Sequence, residues 1–225
     1  MSFEALLFDF DGVLIESEAT GNIHLADTLT ALGHPTSPED AMNNFMGLAG
    51  ADFHAAIERW IGRPLPAAFH ETREAEDERC LREGIAEVAG AVRFVRSLPP
   101  ALPIAVVSSS STRWLHAHLA HLGLDGRFGA HVYSGREHVA RGKPAPDLYL
   151  LAARALGLPI ERIAIIEDSP VGATGAIASG AYVIGLAAGS HCGPDHGERL
   201  RALGVAAVAH DFDEVARLIA AAGGW

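Results

Sequence analysis

Lysine is almost missing from this chain. Lys143 is the only one, and the other 16 of the 17 basic residues are arginines. Cysteine is nearly as scarce: Cys80 and Cys192 are far apart and form no CxxC pair. That excludes a disulfide framework and a thiol-redox motif, and it makes a reduced, cytoplasmic setting the simplest expectation. Positive charge is short overall. The formal net charge is −11, which argues against nucleic acid or an anionic membrane as a partner, because both need a basic surface. No apolar run approaches the roughly 18 residues that cross a bilayer. The first residues contain no Lys or Arg and already carry Glu4, Asp9 and Asp11, unlike a signal peptide. No GxSxG elbow occurs, so serine-hydrolase chemistry is not indicated. A small anionic substrate stays open, since a metal ion and one or two local cations can hold it.

What is present is ordinary globular material. The chain has 225 residues, 49% hydrophobic and 20% charged, enough for one domain or one domain with an insertion. Residues 5–9, ALLFD, read as a short buried strand. A helix-rich stretch follows over about 18–84, with Ser37-Pro38-Glu39-Asp40 as a capping box and the charge run TREAEDER as a solvated helix face. From about residue 85 helices and strands alternate: LPIAVVSS, AHVYSG, RIAIIED and AYVIGLAAG as strands, VAAVA as a short last one, with helical segments between. This alternation predicts an α/β fold, a doubly wound parallel sheet with helices on both faces, interrupted after its first strand by a helical insertion. The expected division is 1–14 with 87–225 as core and 15–86 as the insertion.

Ligands of open parallel sheets bind beyond the carboxyl ends of the strands. Three strands end in polar groups: Asp9-Phe10-Asp11-Gly12, Ser108-Ser109-Ser110-Ser111 and Glu167-Asp168-Ser169. Lys143 stands in GKPAPD before a helix. Two close carboxylates repel unless something positive lies between them. Asp9, Asp168 and the carbonyls of the Asp11-Gly12 turn suit a hard cation such as Mg²⁺. Ser108, with nearby backbone N–H groups, and Lys143 suit phosphate oxygens. Together these groups fit phosphoryl transfer, which needs positioning and charge neutralisation above all.

Four stretches, DFDGVLIES, VVSSSS, GKPAPD and IIEDSPVGATGAIASG, occur in the order found in the haloacid dehalogenase superfamily. The chain resembles its β-phosphoglucomutase-like subgroup, whose Rossmann-like core carries a helical cap. The resemblance implies that Asp9 is a nucleophile forming an aspartyl-phosphate. Asp11 would be the general acid and base, its carbonyl a Mg²⁺ ligand beside Asp9 and Asp168, with Glu167 in support. Ser108, the Ser109 backbone amide and Lys143 would bind the phosphoryl group. The implied activity is a Mg²⁺-dependent phosphatase acting on a small phosphorylated metabolite, a sugar phosphate or related acid. Residues near 14–17 and 84–90 would be hinges between cap and core. The oligomeric state is left open, a monomer being compatible with the sequence.

Sister chemistries differ at particular residues. Dehalogenases of the superfamily lack the second aspartate, which Asp11 supplies here. Phosphonoacetaldehyde hydrolases need a cap lysine, and the one lysine lies in the core. A β-phosphoglucomutase-like isomerase is the main alternative. It uses a cap histidine where Gly21 stands, with His24 one helical turn away, and cations in a cap loop where FMGLAGADF has none. A phospho-accepting signalling domain is a further alternative, opposed by the insertion and by Asp11. Glu16, in place of the more usual aspartate, is expected to matter little. GATGAIASG lacks the GxGxxG spacing of a dinucleotide site and reads as close helix packing. His191, Cys192 and His196 have a loose metal-like look, read as a surface loop in preference to a zinc site. Ser110 and Ser111 read as structural or capping residues, and His116, His118 and His121 as surface or boundary residues.

Overall fold

The computed structural model describes residues 3–45, 48 and 50–223. It begins with β1 (Ala5–Phe8), followed by four helices: α1 (Ser17–Ala31), α2 (Pro38–Phe45), α3 (Gly50–Ile61) and α4 (Ala67–Glu83). The alternating part runs α5 (Ala91–Ser97), β2 (Ile104–Ser108), α6 (Thr112–Leu122), α7 (Asp125–Phe128), β3 (Val132–Ser134), α8 (Asp147–Leu156), β4 (Ile163–Glu167), α9 (Pro170–Ser179), β5 (Tyr182–Leu186), α10 (His196–Leu203), β6 (Ala207–Ala209) and α11 (Phe212–Ala221). The single-turn α7 is too short to carry periodicity and was not expected.

The chain divides into two compact units, one made of the residues up to Glu16 with those from Ala86 onward, the other of Ser17–Ile85. The first holds a parallel sheet in the order β3-β2-β1-β4-β5-β6. Strands β1, β2 and β4 are buried along their whole length, as their near-continuous Val, Ile, Leu and Ala content requires of a sheet covered on both faces. The strand order reverses between β1 and β4, where Phe8 pairs with Ile166. Asp9 and Glu167 therefore leave the sheet side by side, at the place where open α/β sheets bind ligands. The limits of this unit follow from local pairing. Ile15 bridges to Asp11 and Glu87, and the Glu16 N–H donates to the Ala86 carbonyl at 2.9 Å.

The second unit packs Leu25, Leu29, Phe45, Ile57, Ile61 and Phe69 into its own core. The box at its α2 is made as the sequence suggests. The Asp40 N–H donates to Ser37 Oγ at 3.0 Å, and the Ser37 N–H donates back to Asp40 Oδ2 at 2.9 Å. The TREAEDER run is only partly a solvated face. Arg73 turns inward, donating to the Gly21 carbonyl and meeting His24 Nδ1, each at 3.2 Å. Glu76 lies 3.9 Å from His24. Of the cation-poor loop FMGLAGADF, Met46, Gly47 and Ala49 lie outside the described residues.

Candidate active site at the strand ends

β1 ends in a tight turn. The N–H groups of Leu14 and Ile15 return to the Phe10 carbonyl at 2.8 and 3.2 Å. Gly12 has φ +76°, and a Cβ there would stand 2.0 Å from Asp168 Oδ2. Glycine is required twice over, for the left-handed backbone and for the approach of the β4 carboxylate.

Asp9 is buried, and its Oδ1 accepts from the Phe10 N–H at 2.7 Å and from Lys143 Nζ at 2.8 Å. Lys143 also donates to Glu167 Oε1 at 2.5 Å, and its side chain is 3% exposed. Tyr149 Oη donates to the same Glu167 oxygen at 2.6 Å. Glu167 is tightly enclosed: a Cβ on Gly172 would stand 2.1 Å from its Oε2. Carboxylate oxygens of Asp9, Glu167 and Asp168 all lie within 4.8 Å of one another. Burial, then the Glu167 charge, pushes the Asp9 carboxyl well above its ordinary range; Lys143 opposes this and Asp168 adds to it. Burial alone would depress Lys143, but Asp9 and Glu167 outweigh it and hold the ammonium above its ordinary range.

A second set of contacts fixes Asp11. Its Oδ2 accepts from Ser110 Oγ at 2.6 Å and Ser108 Oγ at 3.2 Å, and its Oδ1 accepts from Trp114 Nε1 at 3.1 Å. Ser111 caps α6, accepting from the Trp114 N–H, as expected for that serine. Ser110 instead touches Asp11, which a run of four like residues did not distinguish. Ser109 is exposed beyond β2.

Asp168 is held from the far side. His191 Nε2 donates to its Oδ2 at 2.9 Å, and His196 Nε2 donates to its backbone carbonyl at 2.7 Å. Burial disfavours charge on His191, yet its hydrogen bonds to Asp168 and Cys192 raise it to about 10. Both histidines are buried, a correction to the surface-loop expectation. The loop is drawn in because His191 and His196 find acceptors on Asp168 and because Glu16 anchors Ser190, accepting from its N–H at 3.0 Å and its Oγ at 2.7 Å. His118 also departs from expectation. It is fully buried against the Trp114 ring, with centroids 4.2 Å apart. GATGAIASG is packing material: a Cβ on Gly175 would stand 2.9 Å from the Pro144 carbonyl oxygen.

Sequence reasoning thus placed Asp9, Asp11, Ser108, Lys143, Glu167 and Asp168, and the fold brings them to one end of the sheet. It missed Ser110, Trp114, Tyr149, His191 and His196. Only the spacing of His191, Cys192 and His196 carries a signal, and the Gly, Pro and Asp between them read as a surface loop.

Comparison with known proteins agrees with this architecture. The family described as haloacid dehalogenase-like hydrolase matches residues 3–180. Hexitol phosphatase A of Escherichia coli is 31% identical over 189 residues, 83% of this chain and 84% of that protein. The fructose-1-phosphate phosphatase of the same organism is 31% identical over 180 residues, 79% of this chain and 93% of that protein. A HAD family hydrolase from Deinococcus radiodurans, solved with bound phosphate and sodium, superposes with a TM-score of 0.86 at 34% identity, covering 98% of this chain and 96% of its own. With the sheet order, the strand-end carboxylates and these relatives in agreement, the chain is an enzyme of the haloacid dehalogenase-like hydrolases, a family in which its named relatives include phosphatases.

Proposed function

We propose that the chain is a Mg²⁺-dependent phosphatase of a small phosphorylated metabolite, a sugar phosphate or related acid, working through an aspartyl-phosphate on Asp9. The observation that carries this is the setting of Asp9: a buried carboxylate pinned through one oxygen by Lys143 and the Phe10 amide, beside Asp168, at the sheet's switch point. Relatives named for hexitol and fructose-1-phosphate supply the substrate class.

The donors suit the metal. Asp168 Oδ1 is buried with no hydrogen-bond partner, and the clustered ligands are carboxylate oxygens, which hard cations prefer. Asp9, Asp168 and the Asp11 carbonyl would hold Mg²⁺. When bound, it would neutralise charge on the carboxylates and on the phosphoryl oxygens. Glu167 has its Oε1 committed to Lys143 and Tyr149, so it positions the lysine.

With Asp9 Oδ1 engaged, Oδ2 attacks phosphorus. The bond from phosphorus to the substrate oxygen breaks, and Asp11 gives that oxygen a proton. Asp11 then takes a proton from water, which attacks the phosphoaspartate and releases phosphate, restoring Asp9. Ser108 and Lys143 hold the phosphoryl oxygens, with the Ser109 amide beside them.

Phosphate release from a panel of sugar phosphates, sugar-acid phosphates and nucleotides, with Mg²⁺ and with EDTA, tests this. Metal-dependent release with a preferred sugar phosphate is expected. Conversion of glucose 1-phosphate to the 6-phosphate without net release would show a mutase instead. A single phosphate transferred per chain would show a signalling domain.

A further inference from the structure

Beyond the carboxylate cluster, the described residues contain one other group of converging ligand atoms. Sγ of Cys192 and one ring nitrogen each of His191 and His196 lie within 4.8 Å of one another. We propose that these three residues form a second metal site, for a zinc-class divalent ion, joined to the carboxylate cluster through Asp168.

The donor set is of the opposite character to the first. Thiolate and imidazole select zinc and its neighbours over Mg²⁺, which takes oxygen. The spacing is already close to that of a bound ion. Cys192 Sγ stands 3.5 Å from His191 Nε2, against roughly 3.6 Å for a sulfur and a nitrogen across a tetrahedral zinc with ordinary bond lengths. The two imidazoles meet edge to face, centroids 5.6 Å apart and planes at 86°, an arrangement that lets both rings address one ion.

Both rings already meet Asp168, the residue shared with the carboxylate cluster. His191 reaches the Asp168 carboxylate and His196 the Asp168 carbonyl, both through Nε2. The Nδ1 atoms of both are buried and have no hydrogen-bond partner. His191 Nδ1 faces Gly189, where a Cβ would stand 2.6 Å from it, so Nε2, the nitrogen beside Cys192 Sγ, is the one offered to an ion, and its proton leaves to solvent when the ion binds. The loop is shaped in advance. The Cys192 N–H donates to the Gly189 carbonyl at 2.9 Å and the His196 N–H to the Gly193 carbonyl at 3.0 Å. Cys192 itself is half-buried, which gives an ion a way in. Asp168 Oδ2, 2.9 Å from His191 Nε2, is the nearest oxygen for the fourth position. An ion taking it would draw that carboxylate away from the first site. This last consequence rests on the role proposed above for Asp168; the binding of the ion does not.

Cobalt(II) is the probe. Metal-free full-length protein is titrated with Co²⁺ in the presence of excess Mg²⁺, which occupies oxygen sites, and thiolate-to-cobalt charge transfer is followed in the near ultraviolet. One equivalent per chain is expected to give the band, and one equivalent of Zn²⁺ to remove it. Cys192→Ser is expected to lose the band and to weaken zinc binding at least about tenfold, the minimum seen for changes around a metal ligand. Cys80→Ser is expected to keep it. No band at saturating Co²⁺, or a band that survives Cys192→Ser, would overturn the proposal. In a parallel assay, zinc is expected to suppress Mg²⁺-dependent turnover in the parent at least tenfold more strongly than in Cys192→Ser. Equal suppression in the two would overturn the link through Asp168 while leaving the spectroscopic result to decide the site.

Discussion

Trp114 holds Asp11 from 103 positions away in the chain: the indole N–H donates to Asp11 Oδ1 at 3.1 Å, while Ser110 and Ser108 take the other oxygen. A carboxylate proposed as acid and base, met by these three donors, is aimed and is no longer a free rotor. Trp114→Phe keeps the ring and removes the donor. A hydrogen bond to a charged group contributes about 1.5–3 kcal/mol, so turnover is expected to fall about tenfold or more. KM should change little and the melting temperature should stay near that of the parent. A loss of KM alone, measured by steady-state phosphate release, would contradict the positioning role.

Asp9→Asn removes the proposed nucleophile and leaves its shape. Turnover is expected to fall at least about a thousandfold, with far-ultraviolet dichroism unchanged. Substantial residual activity in a folded variant would sink the assignment of Asp9.

Lys143 is placed between two buried carboxylates, Asp9 and Glu167. Removing one partner of a buried pair strands the other charge. Lys143→Met is expected to cost about 3–5 kcal/mol in urea unfolding. Glu167→Gln should cost less, because Lys143 keeps Asp9.

Magnesium should stabilise the folded chain through Asp168. At a hundred times its Kd a ligand adds about 2.7 kcal/mol, several degrees in Tm for a chain of this size. EDTA is expected to reverse the shift, and Asp168→Asn to abolish it. Differential scanning calorimetry with and without metal reads both.

His118 predicts a dependence on pH. Burial lowers its proton affinity below the ordinary histidine range; Asp11 opposes this and His121 adds to it. Below the ordinary value the unfolded chain binds a proton that the folded chain refuses, so stability falls as pH drops below about 6.5. His118→Leu removes the titrating ring and should flatten that part of the stability curve. An unchanged slope in denaturant titrations between pH 7 and 5 would refute it.

Much of this protein was legible in one dimension. β1, β2 and β4 are buried on both faces, so their apolar runs are unbroken and easily read. Asp9, Asp11, Ser108, Lys143 and Asp168 sit at strand ends or in short motifs whose local chemistry is distinctive before anything folds. The capping box at Ser37 needs only four consecutive residues, and it forms as read.

Tertiary structure decided what depends on residues far apart in the chain. Nothing near Trp114 in sequence announces Asp11, and nothing near Tyr149 announces Glu167; those contacts exist because parallel strands bring their carboxyl ends together. The burial of His118 depends on the ring it packs against. His191 and His196 looked like a surface loop because Gly, Pro, Ser and Asp surround them, and turn chemistry reads as exposure. They are inside because Asp168, just past the end of β4, supplies the acceptors for both rings, and a local pattern cannot report a partner that only the folded sheet delivers.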